Sequence, residues 1–380
     1  MTPDAVDHRR SYVAVDLGAI ADNVRAMRRR LTPDCAFGAV VKADGYGHGA
    51  IPVARAALAG GASWLLVATV PEGLQLRQAG LADTPILVLG PVAADEVADL
   101  VDAGLTPTID AASPLAAIAA AARQHGRAPY SVHVKVDTGL SRFGVAVSQA
   151  VPFIQSLHDN PAIVVSGIAT HFATADVVAD PFLHAQEARF AALLATLDRA
   201  GMRPPIAHAA NSGAALQGIG CREMVRVGIA LYGIPPAPDF PMPHDLRPVL
   251  SVRSSVARVL DLAPGDTVGY GRTFVARVPT RAALVPIGYA DGLSRSASNR
   301  GHLLIGGARC PLIGNVSMDQ CVVALPDGLD VAVDDPVVIV GQQGNVEQTI
   351  SALAQEAGTI AYEMAVRFGG RMRREYTSVE

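Results

Sequence analysis

The stretch WLLVATVPEGLQLRQAGLADTPILVLG, residues 64–90, holds two short apolar, β-branched runs with a helical pattern between them. Its middle segment opens with Pro71 near the first turn, where a missing N–H costs little, and closes with Gly80, as helices do. Strand, crossover helix, strand is the unit that builds parallel sheets. The same kind of run recurs in both directions along the chain. FGAVVKAD (37–44) precedes it; LTPTID (105–110), YSVHVKVD (130–137), IVVSGIATHF (163–172), IAHAAN (206–211) and MVRVGIALYG (224–233) follow. PFLHAQEARFAALLATLDRAG, from Pro181, repeats the helix pattern of proline first and glycine last. Eight such runs predict an α/β fold, a (β/α)8 TIM-type barrel.

IPPAPDFPMPHD, from Ile234, is too proline-dense to continue a helix or a central strand. It places a boundary between a barrel over 12–240 and a second domain over 241–380. There the pattern changes to alternating runs such as SVRSSVARVL, AALVPIGYA, HLLIG, CVVALP and PVVIVG, separated by PG, DG and GG turns. That reads as a mainly β domain, with which an N-terminal strand within 1–15 is expected to pack. At 380 residues the chain exceeds what one hydrophobic core usually serves, so two domains fit its length.

With 50% hydrophobic and 17% charged residues and a formal net charge of −4, neither disorder nor a nucleic-acid surface is indicated. A small partner fits better. The start, MTPDAVDHRRSYVAVDL, has an apolar stretch that Asp16 interrupts too soon for a signal sequence. No run approaches the ~18 apolar residues of a membrane span. Cys35, Cys221, Cys310 and Cys321 form no CxxC pair, which argues against a structural zinc site or a disulfide framework and for a cytoplasmic protein with reduced thiols. No metal is expected.

Among 31 basic residues only Lys42 and Lys135 are lysines. A chain that uses arginine wherever a positive charge suffices raises the question of what these two amines do. Only an amine readily loses its proton near neutral pH, condenses with a carbonyl or acts as a base. Chance survival on the surface is the competing explanation. Lys42 ends the first barrel run and is followed by ADGYGHG, where Gly45, Gly47 and Gly49 permit tight turns beside Tyr46. In barrel enzymes that end of the strand is the catalytic face.

VVKADGYGHG resembles the cofactor-lysine motif of the alanine racemase family, and the resemblance runs from AVDLGAI near residue 14 to AYEMAVRFGGR near residue 361. It implies pyridoxal 5′-phosphate held by Lys42 as a Schiff base, a homodimer with shared active sites, and interconversion of L- and D-alanine, the latter a peptidoglycan precursor. In HVKVDTGLSRFGV it implies a carbamylated Lys135 that orients Arg142 toward substrate. Phosphate contacts would fall to Tyr46, Ser212 in HAANSGA, the amides of Gly228 and Ile229, and Tyr362. Barrel enzymes independently tend to bind phosphate after strands seven and eight. Taken alone, Ser212 is better read as an ordinary helix N-cap.

Arg226 resembles the arginine facing the pyridine nitrogen. A guanidinium keeps its protons, so that nitrogen would stay unprotonated and the ring a weaker electron sink, favouring reprotonation over transamination. His171 in GIATHFATAD resembles the histidine linking this arginine to a catalytic tyrosine, and His208 would stand behind these groups. VGYGRTF, PIGYADG and NVSMDQ resemble segments that reach the partner's site. Tyr270 would be the second base; Tyr289, Met318 and Asp319 would line the substrate entrance and carboxylate site. Without the resemblance each tyrosine reads as a half-buried strand residue.

Racemisation needs two acid/base groups on opposite faces of a flat intermediate. Lys42 would serve the D-enantiomer and Tyr270 the L-enantiomer, both with pKa values lowered from roughly 10.4 and 10. Asp44, Gly45, Ser141 and Ser317 depart from the commonest family residues without removing a catalytic group. A serine or broader racemase shares the framework. A barrel-type decarboxylase with the same cofactor lacks support from THFATAD, where a glycine-rich HxGS segment is expected. A non-catalytic cofactor carrier leaves the β domain unexplained.

Overall fold

A computed structural model describes residues 10–377; residues 1–9 and 378–380 lie outside it, and with them most of the 1–15 segment expected to pack with the β domain. Contacts divide the chain into two compact units. One comprises residues 19–45 and 50–247, the other residues up to 18, 46–49 and from 248 onward.

The first strand, β1 (Tyr12–Asp16), belongs to the second unit. The barrel strands are β2 (Ala36–Val40), β3 (Trp64–Val67), β4 (Ile86–Val88), β5 (Thr106–Ile109), β6 (Tyr130–Asp137), the short β7 (Val145–Ala146), β8 (Ile163–Ala169), β9 (Ile206–His208) and β10 (Met224–Val227). Their hydrogen-bonded order is β10-β2-β3-β4-β5-β6-β8-β9, all parallel, with β7 beside β6. Each of the eight runs quoted above contributes one of these strands, so the expected barrel is present. It closes through Arg226, whose N–H donates to Ala210 O at 2.9 Å just past β9.

The helices between strands begin where the side chains allow. Over Val70–Gln78 the N-cap is Thr69, whose hydroxyl accepts from Glu72 N while Glu72 accepts from Thr69 N. Such a capping box contributes about 1 kcal/mol. Glu72 returns in the site below. The helix Leu17–Arg28 is anchored by Asn23, which is fully buried. Its Nδ2 donates to Leu231 O and Arg247 O at 3.0 and 2.9 Å, and its Oδ1 accepts from Arg247 N at 2.8 Å.

The second unit contains β11 (Leu250–Ser255), β12 (Arg258–Leu262), β13 (Thr267–Val268), β14 (Phe274–Val275), β15 (Thr280–Val285), β16 (His302–Ile305), β17 (Ala308–Pro311), β18 (Cys321–Ala324), β19 (Pro336–Gln343), β20 (Val346–Gln348) and β21 (Arg373–Thr377). One sheet runs β17-β16-β19-β11-β1-β21 with β20 on β19, and a smaller one β12-β15-β18. The hairpin β13–β14 packs through Val268 and Phe274 on a small core with Ala282 and Ile313. The unit is mainly β, and it also carries two short helices, Ile350–Glu356 and Ala361–Arg367. The described residues include no helix long and apolar enough to cross a membrane, and the four cysteines are unpaired.

Asn23 sets a stability test. Asn23→Leu strands one backbone N–H and two carbonyls in the interior and should destabilise the protein by ~3 kcal/mol in urea unfolding; a change below about 1 kcal/mol would show that the backbone groups find other partners.

Candidate active site

In the barrel unit the groups singled out from the sequence gather at the C-terminal ends of the strands. Lys42 follows β2; Lys135 lies near the end of β6 and Arg142 in the loop beyond it; His171 follows β8, Ser212 follows β9, and Arg226 and Gly228 sit on and after β10.

The backbone after Lys42 is unusual. Ala43, Asp44, Gly45 and Tyr46 all have left-handed φ values of 51, 52, 62 and 53°. L-residues visit that region at a cost of roughly 1–2 kcal/mol each, least for Asn and Asp. Three fixed acceptors hold the segment in the barrel unit. Gly45 N donates to Val41 O at 2.8 Å, Ala43 N to Glu72 Oε1 at 2.7 Å, and Ala50 N to Asp44 Oδ1 at 2.9 Å. Glycines alone account for only part of this turn; Glu72 and the Asp44 carboxylate contribute as well. The spacing of Thr69 and Glu72 is a capping-box signal readable from sequence, but the second partner of Glu72 is not.

Burial, and then the charge of Arg142, lowers the Lys42 pKa, and Glu72 partly opposes this. Lys135 is lowered further, to about 7, by burial and by Arg226 and Arg142, with Asp137 opposing. Both amines are thus more often neutral than a surface lysine at the same pH. Arg142 is exposed. Its turn is built by Asp137, whose Oδ1 accepts from Gly139 N, Leu140 N and Ser141 N at 2.8, 2.9 and 3.1 Å. Ser141 has a φ of 56°, a conformation that favours glycine.

Arg226 is 5% exposed. Its Nη1 donates to His208 Nδ1 and His208 O at 2.8 and 2.9 Å; its Nη2 reaches Thr170 O, Ala209 O and His171 Nδ1 at 2.8, 3.0 and 3.1 Å. Among the described residues its Nε–H has no acceptor. Burial and the Arg226 charge push His171 and His208 well below the usual histidine range, so both rings are neutral. A guanidinium only donates, so His171 Nδ1 must accept and its proton sits on Nε2. Gln186, fully buried on the helix Pro181–Arg199, steadies this loop by donating to His171 O at 3.3 Å and accepting from Ala173 N at 2.8 Å. A glutamine within the stripe Leu183, Phe190, Leu194, Leu197 was a readable signal that sequence reasoning passed over.

Ser212 is not the N-cap of its helix. Asn211 is, accepting from Ala214 N at 3.1 Å. Ser212 Oγ instead accepts from Gly228 N and Ala230 N at 2.9 and 3.3 Å. With both lone pairs engaged, its own proton is left to donate. Gly228 N–H is therefore spent on Ser212, and Ile229 opens the following turn, Ile229–Tyr232.

The second unit holds the remaining residues. Tyr46 and Tyr362 have ring centroids 6.3 Å apart, and burial pushes the Tyr46 phenol up to about 12, which keeps it a donor. Gly47 must be glycine, since a Cβ there would lie 2.5 Å from Ala365 O. Tyr270 is on the turn between β13 and β14 and is 77% exposed. Asn315 Nδ2 donates to Tyr270 O at 2.7 Å, and Tyr289 N donates to Ser317 O at 3.0 Å. The segment 315–318 thus links the Tyr270 turn and the Tyr289 loop through hydrogen bonds, and the side chains of Tyr270, Met318 and Tyr289 are all exposed. The Asp319 carboxylate is held by Arg371 at 2.6 Å, and Arg371 also binds Asp291 at 2.8 Å. Arg371 was not anticipated from the sequence.

An eight-stranded parallel barrel with two half-buried lysines and a buried arginine on its C-terminal rim, continued by a mainly β unit, defines a two-domain barrel enzyme. The family profile for the alanine racemase N-terminal domain matches residues 15–236, and that for the C-terminal domain matches residues 249–376. An alanine racemase of Symbiobacterium thermophilum is 42% identical over 369 residues, 97% of each chain. The crystal structure of alanine racemase from E. faecalis superposes with a TM-score of 0.90 at 36% identity, covering 98% of this chain and 100% of that one. That of Bartonella henselae with covalently bound pyridoxal phosphate gives 0.87 at 27% identity, covering 97% and 99%. The chain belongs to the alanine racemase family.

The depressed Lys135 generates a test. Its neutral nitrogen can bond to the carbon of carbon dioxide and release one proton, giving a carbamate. With 13C-bicarbonate, a carbamate resonance should be stronger at about pH 8 than at about pH 6, because the neutral amine predominates only above its pKa of about 7. The resonance should vanish in Lys135→Arg; its survival there would assign the carbamate elsewhere.

Proposed function

We propose that this chain interconverts L-alanine and D-alanine with pyridoxal 5′-phosphate, acting in the cytoplasm as a homodimer whose subunits share their active sites. Arg226 carries the reading: four of its N–H groups are committed to the protein inside a buried site, and the Nε–H is left for an acceptor such as an unprotonated ring nitrogen. The donor set fits the cofactor elsewhere as well. Ser212 offers an O–H whose acceptor positions are filled, suited to a phosphate oxygen, and Tyr46 is held as a neutral phenol. Tyr362 and the Ile229 amide would complete the phosphate contacts, with Gly228 contributing through Ser212. Lys42 would anchor the aldehyde carbon. When bound, the cofactor supplies an electron sink that acidifies the substrate Cα–H.

The chain's own groups then divide the proton work. The Lys42 amine, its pKa lowered by burial and Arg142, accepts or returns a proton on one face of the substrate carbon. Tyr270 of the partner subunit serves the opposite face. His171, with its proton on Nε2, offers a donor that stabilises the phenolate and connects it to Arg226. Arg142, oriented by a carbamate on Lys135, would bind the substrate carboxylate. Met318, Tyr289 and Asp319, the last through Arg371, would bound the entrance. The exposure of Tyr270, Tyr289 and Met318 supports a shared site, since a catalytic tyrosine left in solvent has nothing to act on in its own unit. The four unpaired cysteines support a reducing compartment.

Incubation with L-alanine and pyridoxal 5′-phosphate in deuterated water should give D-alanine and Cα deuterium without carbon dioxide; release of carbon dioxide with no D-alanine would replace racemisation by decarboxylation. L-serine in the same assay measures breadth. The shared site has its own test. Lys42→Ala and Tyr270→Ala should each be inactive, and mixing them under subunit exchange should restore activity to about a quarter of the sites. No recovery despite verified exchange would place Tyr270 in its own subunit's site or outside catalysis.

A further inference from the structure

Behind Arg226 a second histidine extends the polar contacts into the barrel. His208 Nε2 lies 2.9 Å from Nδ1 of His133 on β6, and both rings are fully buried. Room for the His133 ring is built into the sheet. The β6–β8 register shifts after Val132, so Ser166 is skipped and Gly167 faces His133, where a Cβ would stand 2.5 Å from the ring.

The direction of every bond in this chain follows from its first member. Arg226 can only donate, so His208 Nδ1 accepts and the neutral ring carries its proton on Nε2. That proton points at His133 Nδ1, which must accept in turn, so the neutral His133 ring carries its proton on Nε2. His133 is held down to about 3 by burial and the Arg226 charge, consistent with a neutral ring. The end of the chain is equally constrained. His133 Nε2 has no partner among the described residues, and neither does Thr108 Oγ1, which is 2% exposed. Thr108 and His133 are register partners on β5 and β6. Two adjacent, buried and unpartnered polar groups form a site that one bridging water would satisfy.

We infer that His208 and His133 are positioning residues: a one-directional chain, ending on a water between His133 Nε2–H and Thr108 Oγ1, that fixes the Arg226 guanidinium so that its Nε–H serves the cofactor's ring nitrogen. The inference rests on the reading that Arg226 faces that nitrogen. With either histidine flipped or doubly protonated, two N–H groups would oppose each other within the chain, and Arg226 would lose its side-chain stop. A mobile guanidinium presents a weaker and less directed donor.

The test uses the wild-type holoenzyme labelled with 15N-histidine. Both His208 and His133 should show the neutral Nε2–H tautomer at neutral pH; an Nδ1–H tautomer or a doubly protonated ring at either position overturns the chain. His133→Leu removes the acceptor, and His133→Asn restores one near the Nδ1 position. His133→Leu should shift the cofactor's absorption maximum and lower kcat on the order of tenfold with little change in KM, and His133→Asn should recover most of both. Equal losses in the two variants, or no change in either, overturn the positioning role. Arg226→Lys separates the underlying reading: an unchanged cofactor spectrum there would remove Arg226 from the ring nitrogen, whatever the tautomers show. Thr108→Val should lower the temperature of half-unfolding and perturb the His133 Nε2 resonance; an unperturbed resonance removes the water.

Discussion

A guanidinium buried where the barrel closes is the constraint on which the rest of this structure turns. An ionised group in a low-dielectric interior is tolerable only when its hydrogen-bonding capacity is met. Arg226 meets it at both terminal nitrogens, with three backbone carbonyls, from Thr170, His208 and Ala209, and two histidine nitrogens, and leaves only its Nε–H open among the described residues. Those acceptors lie at the ends of β8 and β9, so the charge of one side chain and the geometry of the barrel's last seam are the same problem solved once. The Arg226 backbone N–H, bonded to Ala210 O, closes that seam. Burial first, and the positive field of Arg226 second, keep His171, His208 and His133 neutral and lower Lys135.

The two lysines acquire their character from burial and from neighbouring guanidinium groups, Arg142 for Lys42 and both Arg226 and Arg142 for Lys135. Neither needs an unusual covalent setting. Burial disfavours the ammonium, and nearby guanidinium groups disfavour it further. Glu72 acts in the other direction on Lys42 while also holding the left-handed turn that follows it. The same carboxylate caps the helix Val70–Gln78, so helix start, turn conformation and amine charge are coupled through one side chain. A turn with four successive left-handed residues stores conformational strain, and hydrogen bonds on Gly45, Ala43 and Ala50 help to hold it.

The mainly β unit follows a different logic. Its larger sheet takes in β1 from the far end of the chain, between β11 and β21. Its functional candidates stand on turns rather than strand interiors: Tyr270 between β13 and β14, and Tyr289 and Met318 on loops stitched by backbone bonds at Tyr289 and Ala290. Gly288 permits that stitching, because a Cβ there would meet Ser317 O and Met318 O at 2.3 Å.

The sequence by itself determined the eight parallel strands, through the recurrence of β-branched runs separated by proline-led helices, because burial on both faces of a parallel sheet demands such runs wherever they fall. It also singled out Lys42 and Lys135 among 31 basic residues, and the motif resemblance pointed to Arg226, His171 and Ser212. Left to the tertiary structure were the partners. Nothing local says that Ser212 accepts from Gly228 and Ala230 rather than capping its own helix, that Glu72 reaches back to Ala43, that Arg371 bridges Asp291 and Asp319, or that His133 stands behind His208. Hydrogen-bond direction, tautomer and pKa depend on which donors and acceptors meet across tens or hundreds of residues. That is settled only when the strands carrying them are laid side by side.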